Sequence, residues 1–475
     1  MAFEKLLCPW REDRVLCDDN DLLVVDKPAG IAVHGGDETL ADDVVTRLRR
    51  WLKQRGRDDY LGVHQRLDKA ASGALFFTRR LELNPVVAAE MQTHRIEQRY
   101  VAAVEMGALE SEGVFEDRLK VDRDGRARIS ESGSLKARTR YRLLERRSDR
   151  ALVELFPETG WTHQLRAQLA SRGAAVAGDT LYGGAVAARL MLHAESLRLP
   201  ALGRSFHAAL PEELNTWVHR QEPGLASPQE LRRKVADAGC RRNPLHASAT
   251  AFRLVNDLGD GAPGLCIDRY GDFAVLSISN EEAFRRRLEI AQVLLDFGAR
   301  GVYIKVRQRV DLRRRNLQEY APQEPLLGER APDPLVVSED DLRMEVILGA
   351  GLSTGLFVEQ RENRRRLKNL SAGARVLNLF CYTCGFGVAS ALGHASSTVN
   401  VDLSARALER GQRNFALNGI DVTQHRFVRA DVLDWLLSAG KDRRFDLIIV
   451  DPPSFATVRK KIFRVSSDFE KLLTI

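Results

Sequence analysis

The sequence predicts two kinds of fold in one chain. An α+β region with a mixed sheet comes first, and an α/β region with a parallel sheet comes last. Three observations carry this reading. Residues 15–33 alternate apolar and polar through Leu22-Leu23-Val24-Val25 and stop at Pro28-Ala29-Gly30, a strand running into a turn. From 358 onward, helical segments alternate with short apolar runs, the rhythm of βαβ units. Between the two regions, 221–228 carries Pro223, Gly224, Ser227 and Pro228, the composition of a linker.

The elements follow in order. Gly73-Ala74-Leu75-Phe76-Phe77-Thr78 reads as a buried strand, and strand and short-helix patterns continue to about Trp217. A basic, helix-like piece spans 229–242. Between 250 and 345, short strands surround one helix, 281–297. The parallel strands fall at 375–380, 398–402, 425–429 and 446–450. The expected division is therefore 1–220, a linker at 221–244, a small α+β domain at 245–350, and an α/β domain at 351–475.

Composition limits the function classes. A chain of 475 residues has room for about three domains. With 44% hydrophobic and 29% charged residues it can bury proper cores and remain soluble. Its net charge of +7 suits a polyanionic partner. The start has no basic stretch leading into an apolar segment, and no run reaches the ~18 apolar residues of a membrane span. Six cysteines are scattered over the length, so reduced thiols and a cytoplasmic location are expected. Cys381 and Cys384 form a single C-x-x-C with no second pair nearby, and no metal site is expected.

The most informative segment is His64-Gln65-Arg66-Leu67-Asp68-Lys69-Ala70-Ala71-Ser72-Gly73. It sets one carboxylate two residues after an arginine in an apolar setting, where an acid can serve as nucleophile or base. The segment resembles the H-R-L-D-x-x-T-S-G signature of RluA-type RNA pseudouridine synthases, with Gln65 inserted and Ala71 in place of threonine. Arg99-Tyr100-Val101-Ala102, Thr159-Gly160-Trp161-Thr162-His163-Gln164-Leu165-Arg166, Gly178-Asp179-Thr180-Leu181-Tyr182-Gly183 and Leu192-His193-Ala194 match that family's later motifs in order. The resemblance covers about 12–220. It implies that Asp68 is catalytic, either attacking C1′ or removing a sugar proton. Tyr100 and Leu165 would sandwich the flipped uracil, Arg66 would occupy the vacated stack, and Arg166 would pair with Asp68. Alone, Asp68 would read as a turn residue and Tyr100 as a core aromatic; the ordered set outweighs that. His64, His163 and His193 are expected in structural hydrogen bonds. Trp161 stands where the family has arginine, which implies a phosphate contact either lost or replaced by base stacking.

A second site lies near the other end. Asn378-Leu379-Phe380-Cys381-Tyr382-Thr383-Cys384-Gly385-Phe386-Gly387 follows an apolar strand and opens a helix, a pattern that also suits a dinucleotide site. Asp402 ends the next strand, where a carboxylate can accept from ribose hydroxyls. Asp431 ends the third strand, and Asp451-Pro452-Pro453-Ser454-Phe455 ends the fourth. With 351–361 and the 260–271 segment Asp260-Gly261-Ala262-Pro263-Gly264-Leu265-Cys266-Ile267-Asp268-Arg269-Tyr270-Gly271, the region resembles S-adenosylmethionine-dependent 23S ribosomal RNA methyltransferases of the RlmI/RlmK type. That resemblance implies S-adenosyl-L-methionine as cofactor. It would be held by Phe380, Tyr382, Thr383, Gly385, Asp402, Asp431, Asp451, Pro452, Pro453, Gln360 and Arg361. Cys384 replaces a glycine of the usual loop. The strand-end aspartates have a plainer role as helix caps, and Arg285-Arg286-Arg287 and Arg313-Arg314-Arg315 read equally as solvated faces or RNA contacts.

The full fold expectation is thus a pseudouridine synthase α+β mixed-sheet fold, a small α+β domain, and a Rossmann-like methyltransferase sheet lacking its last strands. With 22 residues after Pro453, the chain is expected to be a fragment of a longer protein. The function expected is bifunctional RNA modification, with ribosomal RNA ahead of transfer RNA as partner. The alternative is an RNA-binding or ribosome-assembly factor with an inactive methyltransferase domain.

Overall fold

The computed structural model describes residues 3, 5–35, 42–220, 227–307, 317–438, 444–453, 455–458, 461–464 and 470. Arg313, Arg314, Arg315, Ser454 and the tail after 470 lie outside the described residues. The chain packs as two compact units. One takes in 5–244 with 255–264; the other takes in Phe3, 245–254 and 265 onward. Among the described residues, no helix is long and apolar enough to cross a membrane.

The first unit is built on a mixed sheet. Its strands run Val15–Asp18, Leu22–Lys27, Ser72–Thr78, Leu192–Leu199, Glu97–Glu105, Arg150–Pro157, Leu135–Arg146, Glu112–Val121 and Ala127–Ile129. All neighbours in this row are antiparallel except Ser72–Thr78 and Leu192–Leu199, which run parallel. Ser72–Thr78 is buried along its whole length. Leu75 and Phe77 join one core with Leu23, Val25 and Trp51, while Ala74 and Phe76 join another with Leu22, Val24 and Leu197. Burial on both faces is why this strand is written as a continuous apolar run. The outer strands Glu112–Val121 and Leu135–Arg146 instead alternate buried and exposed residues. Within 221–244, the helix Pro228–His246 buries Leu231, Val235 and Cys240.

In the second unit, a five-stranded sheet runs in the order Ala251–Asn256, Leu265–Tyr270, Phe273–Ile278, Gly301–Val306 and Leu327–Gly328. The single helix expected over 281–297 is two, Glu281–Arg285 and Arg287–Asp296. The backbone of Arg286 (φ −88°, ψ 5°) lies in the bridge region and ends the first helical ladder.

The parallel sheet follows the expected strands closely. Its order is Arg426–Arg429, Ser397–Asp402, Arg375–Leu379 and Leu447–Val450, all parallel. The chain moves outward on one side and then crosses to the other. A topological switch point therefore lies between Arg375–Leu379 and Leu447–Val450, where the loops at the carboxyl ends diverge and leave a crevice. A hairpin, Phe455–Val458 with Lys461–Arg464, follows; the sequence reading placed no strands there.

Candidate active sites

The first site is assembled where Asp68 meets the helix Gln164–Ala170. Arg166 Nη1 donates to Asp68 Oδ2 at 3.0 Å. The same guanidinium grips Asp179 with two bonds, Nε to Oδ2 at 2.6 Å and Nη2 to Oδ1 at 2.8 Å. Asp179 is 2% exposed and also accepts from the backbone amides of Leu181 and Tyr182. The guanidinium lies 5.1 Å from the Tyr182 ring centroid, and the Tyr182 hydroxyl donates to the Ala127 carbonyl at 2.9 Å. Arg166 is thus held on two sides before it reaches Asp68. Of its two aspartates, the sequence reading gave a role to Asp68 alone.

The remaining synthase residues surround that pair. Tyr100 and Leu165 are buried. Burial, with the Asp68 charge second, pushes the Tyr100 hydroxyl well above its usual pKa. That hydroxyl donates to Gln98 Oε1 at 3.0 Å, and Gln98 Nε2 donates to Gln65, so the inserted residue braces Tyr100 through one intermediate. Arg66 is exposed and has no ion-pair partner among the described residues. Trp161 is 41% exposed, its indole donating to the Lys136 carbonyl at 2.7 Å.

The histidines take hydrogen-bonding positions. His193 is enclosed between Ser72 Oγ (2.9 Å) and the Ala208 carbonyl (3.2 Å), and burial pulls its pKa down to about 3. His64 meets Thr78 Oγ1 at 3.0 Å. His163 Nε2 stands 3.9 Å from Asp68, with its pKa lowered chiefly by burial.

Lys27 was not anticipated. It is fully buried, and its ammonium donates to the carbonyls of Pro28 (3.1 Å), Ile31 (2.9 Å) and Lys69 (3.3 Å). Burial lowers its pKa to about 7 against the pull of Asp68. The lysine therefore pins the Pro28-Ala29-Gly30 turn to the residue next to Asp68. Its only sequence signal is a lysine ending a strand that is apolar up to Asp26.

The second site gathers at the carboxyl ends of the parallel strands. Pairing puts Leu379 beside Val401 and Val450, and Asp402 beside Arg429. Phe380, Asp402, Asp431 and Asp451 therefore lie along one edge. The loop between the first strand and the helix Gly385–Leu392 takes positive φ at Phe380 (55°), Tyr382 (48°) and Cys384 (62°), which folds it tightly against the strand ends. Asp402 Oδ2 accepts from the Tyr382 amide and Oδ1 from the Ser404 amide, each at 2.8 Å. Thr383 Oγ1 donates to the Gly355 carbonyl at 2.5 Å, and Asn414 donates to the Thr383 carbonyl at 3.0 Å. A Cβ at Gly385 would meet only side-chain carbons of Arg364 and Met344, both at 3.7 Å.

Other expected cofactor residues are placed less centrally. Asp431 Oδ1 accepts from the Asp434 amide as a helix cap, 3.1 Å. Arg361 is committed to both oxygens of Asp340 and to Glu362, and Gln360 accepts from Asn363. Asp451 keeps part of its surface in solvent and Pro452 is half-buried, and the Asp451 pKa is raised by partial desolvation and then by the Glu359 charge. Pro453 is exposed. The arrangement fits S-adenosyl-L-methionine: a strand-end carboxylate oriented by two amides stands beside a tight loop at a parallel-sheet switch point.

Comparison with known proteins places each half. Residues 21–171 match the family model of RNA pseudouridylate synthase, and 280–475 match that of S-adenosylmethionine-dependent methyltransferase. Each of these two segments is therefore similar to a different family of modifying enzymes. Its curated relatives include the ribosomal RNA large subunit methyltransferase of Deinococcus radiodurans, 37% identical over 271 residues, covering 53% of this chain and 61% of that protein. The ribosomal RNA large subunit methyltransferase I of Aeromonas salmonicida is 35% identical over 236 residues, covering 48% and 58%. The chain thus spans about three fifths of the length of these relatives. Among solved structures, SMU.776 complexed with SAH is 34% identical at a TM-score of 0.47, covering 52% of this chain and 63% of that one. Human RNA Pseudouridylate Synthase Domain Containing 4 is 24% identical at a TM-score of 0.38, covering 44% and 93%.

Proposed function

We propose that this chain is a cytoplasmic, bifunctional RNA-modifying enzyme. Its first part, 1–220, isomerises uridine to pseudouridine, and its last part, 351–475, takes part in methylation dependent on S-adenosyl-L-methionine. The 221–244 stretch joins them, and 245–350 helps to hold RNA. Large-subunit ribosomal RNA is the substrate favoured for both, because the curated relatives carry that substrate in their names. The observation that carries the first activity is the Asp68 carboxylate held at 3.0 Å by an arginine that Asp179 fixes from behind.

The chemistry follows from that arrangement. A uridine leaves its stack at a cost of a few kcal/mol, offset by packing between Tyr100 and Leu165. Arg66, exposed beside the site, fills the gap in the RNA. Asp68 then either adds to C1′ or takes a sugar proton as the N1–C1′ bond breaks. The base turns, the C5–C1′ bond forms, C5 loses its proton and N1 gains one. Arg166 orients the carboxylate through these steps, and the low-polarity walls exclude water.

In the second part, S-adenosyl-L-methionine supplies an electrophilic methyl group when bound. Asp402 would accept from its ribose hydroxyls and Asp431 would stand near its adenine. Phe380, Tyr382, Thr383 and Gly385 would line the loop beneath it. Asp451, Pro452 and Pro453 would hold the cofactor from the end of the fourth strand, and Gln360 and Arg361 from the 351–361 segment.

Nucleoside mass spectrometry tests the proposal. Unmodified ribosomal RNA is incubated with the chain, with and without S-adenosyl-L-methionine, beside Asp68→Ala. Pseudouridine scored by retention time is expected from the parent and not from the variant. Equal yields from both would overturn the role of Asp68.

A further inference from the structure

The five-stranded sheet of the second unit has two unlike faces. One presents Leu265, Ile267, Leu276, Ile278, Ile304 and Val306, all buried. On the other, the register lines up Cys266 with Ser277 and Lys305, and Asp268 with Val275 and Tyr303. Tyr270, Phe273 and Tyr303 at one end of this second face join the apolar core with Met344 and Leu356. Its other end is polar. There Arg253, Asp268, Ser277 and Lys305 line a pocket of about 200 Å³, roofed by 352–357 and Glu359.

A buried polar sheet face is costly unless its groups are satisfied. Arg253 and Asp268 satisfy each other with two bonds, 2.7 and 3.1 Å, and Glu359 stands 3.5 Å from Arg253. Lys305 is different. It is 1% exposed, has no carboxylate within ion-pair distance among the described residues, and gives one hydrogen bond to the Gly351 carbonyl. An ammonium has three protons to donate. Burial, then the nearby Arg307, lowers its pKa to about 8. The pocket also adjoins the candidate donor site: Phe357 in its roof has its ring 5.6 Å from that of Tyr382.

We propose that this pocket receives one nucleotide of the RNA to be methylated, and that Lys305 Nζ donates to an acceptor oxygen of it, either a base carbonyl or a phosphate. The inference rests on the methyltransferase reading above. The volume suits one nucleobase, and the Arg253–Asp268 pair with Glu359 offers polar atoms to its edge. Lys305, buried with no counter-ion among the described residues, is matched by a ligand that brings the acceptor with it.

The test uses the full chain with the four nucleosides and their four 5′-monophosphates as probes, followed by saturation-transfer NMR. Lys305→Met is expected to weaken binding about tenfold, the loss of one charge-assisted hydrogen bond, and Lys305→Arg to restore part of it. Loss for nucleosides and monophosphates alike assigns the oxygen to the base; loss for monophosphates alone assigns it to phosphate. As a second readout on the parent protein, binding should fall as pH rises through about 8, where Lys305 gives up its proton. Binding unaltered in Lys305→Met, binding that does not vary across that pH range, or no binding by any probe would each overturn the proposal. Calorimetry with S-adenosyl-L-methionine on the same samples separates the failures. Retained donor binding with no Lys305 effect rejects the pocket alone, and absent donor binding rejects the methyltransferase reading.

Discussion

Arg166 and Asp179 form a two-point ion pair, 2.6 and 2.8 Å, that leaves Nη1 of the guanidinium aimed at Asp68. The geometry of the carboxylate therefore depends on a residue that never touches it. Asp179→Asn keeps the size of the side chain but removes the charge and one acceptor. We expect pseudouridine formation to fall about a hundredfold, mainly in kcat, because a small misplacement of a reacting group is costly. Single-turnover kinetics on ribosomal RNA checks this, with Asp68→Ala as the inactive reference. An unchanged kcat would mean that Asp179 serves folding alone.

Lys27 gives the protein a pH-dependent stability whose sign can be worked out. In the unfolded chain a lysine titrates near ~10.4. In the folded chain burial brings Lys27 down to about 7. Between those values the unfolded state binds more protons, so stability rises with pH, by at most ~1.4 kcal/mol per unit, and the penalty is fully present below pH 7. Lys27→Met removes this proton from the balance. The urea-unfolding difference between parent and variant should shift toward the parent as pH increases from 7 toward 9. A difference constant with pH would contradict the depressed value.

Much of this was legible beforehand, for identifiable reasons. Asp68, Tyr100 and Arg166 stood in ordered motifs, and the pairing of Asp68 with Arg166 was implied by the family resemblance that those motifs carry. The four parallel strands were apolar runs bounded by turns and fell within a residue or two of their observed limits. Asp179 received no role because its partner lies 13 residues away, across a turn that spacing does not fold. Lys27 and Lys305 each sit in a strand where a lysine reads as a solvated position. Both are enclosed by segments distant in sequence, and tertiary packing alone reveals that.

Gly73 allows little substitution. Its φ is +117°, and a Cβ there would lie 2.2 Å from the carbonyl oxygen of Ala194, its partner in the parallel pairing. Backbone cannot yield as a side-chain tip can. Gly73→Ala should destabilise the first unit by about 3 kcal/mol or more, through strained φ and a forced gap in the sheet. Thermal unfolding followed by circular dichroism would show a first transition lowered by many degrees. An unaltered melt would count against the observed register.

Asp402 joins the candidate donor loop to the second parallel strand through the Tyr382 and Ser404 amides. Replacing it removes an acceptor for the ribose and also releases the loop. We expect Asp402→Ala to weaken S-adenosyl-L-methionine at least about tenfold by calorimetry, the loss expected for a hydrogen bond involving a charged group. Asp431→Ala should cost less, since that carboxylate chiefly caps its helix. The reverse order would exchange the roles given to the two aspartates.

Cys384 replaces a loop glycine, and the structure shows what accommodates it. Its backbone keeps the left-handed conformation, φ +62°, and its thiol is completely buried beside Cys381, Sγ to Sγ 3.6 Å. The space comes from Gly411 in the facing helix Ala405–Leu417, where a Cβ would lie 2.4 Å from Cys384 Sγ. Gly411→Ala should therefore destabilise the second unit by about 1–3 kcal/mol through overpacking, despite the better helix propensity of alanine. Cys384→Gly alone should be close to neutral, since it leaves a small void but relieves the left-handed backbone. In the double variant the clash is gone, and alanine's helical advantage of ~1 kcal/mol should reappear. Urea unfolding of the four proteins gives the coupling energy directly. Additive effects would show that Gly411 is kept for a reason other than the sulfur beside it.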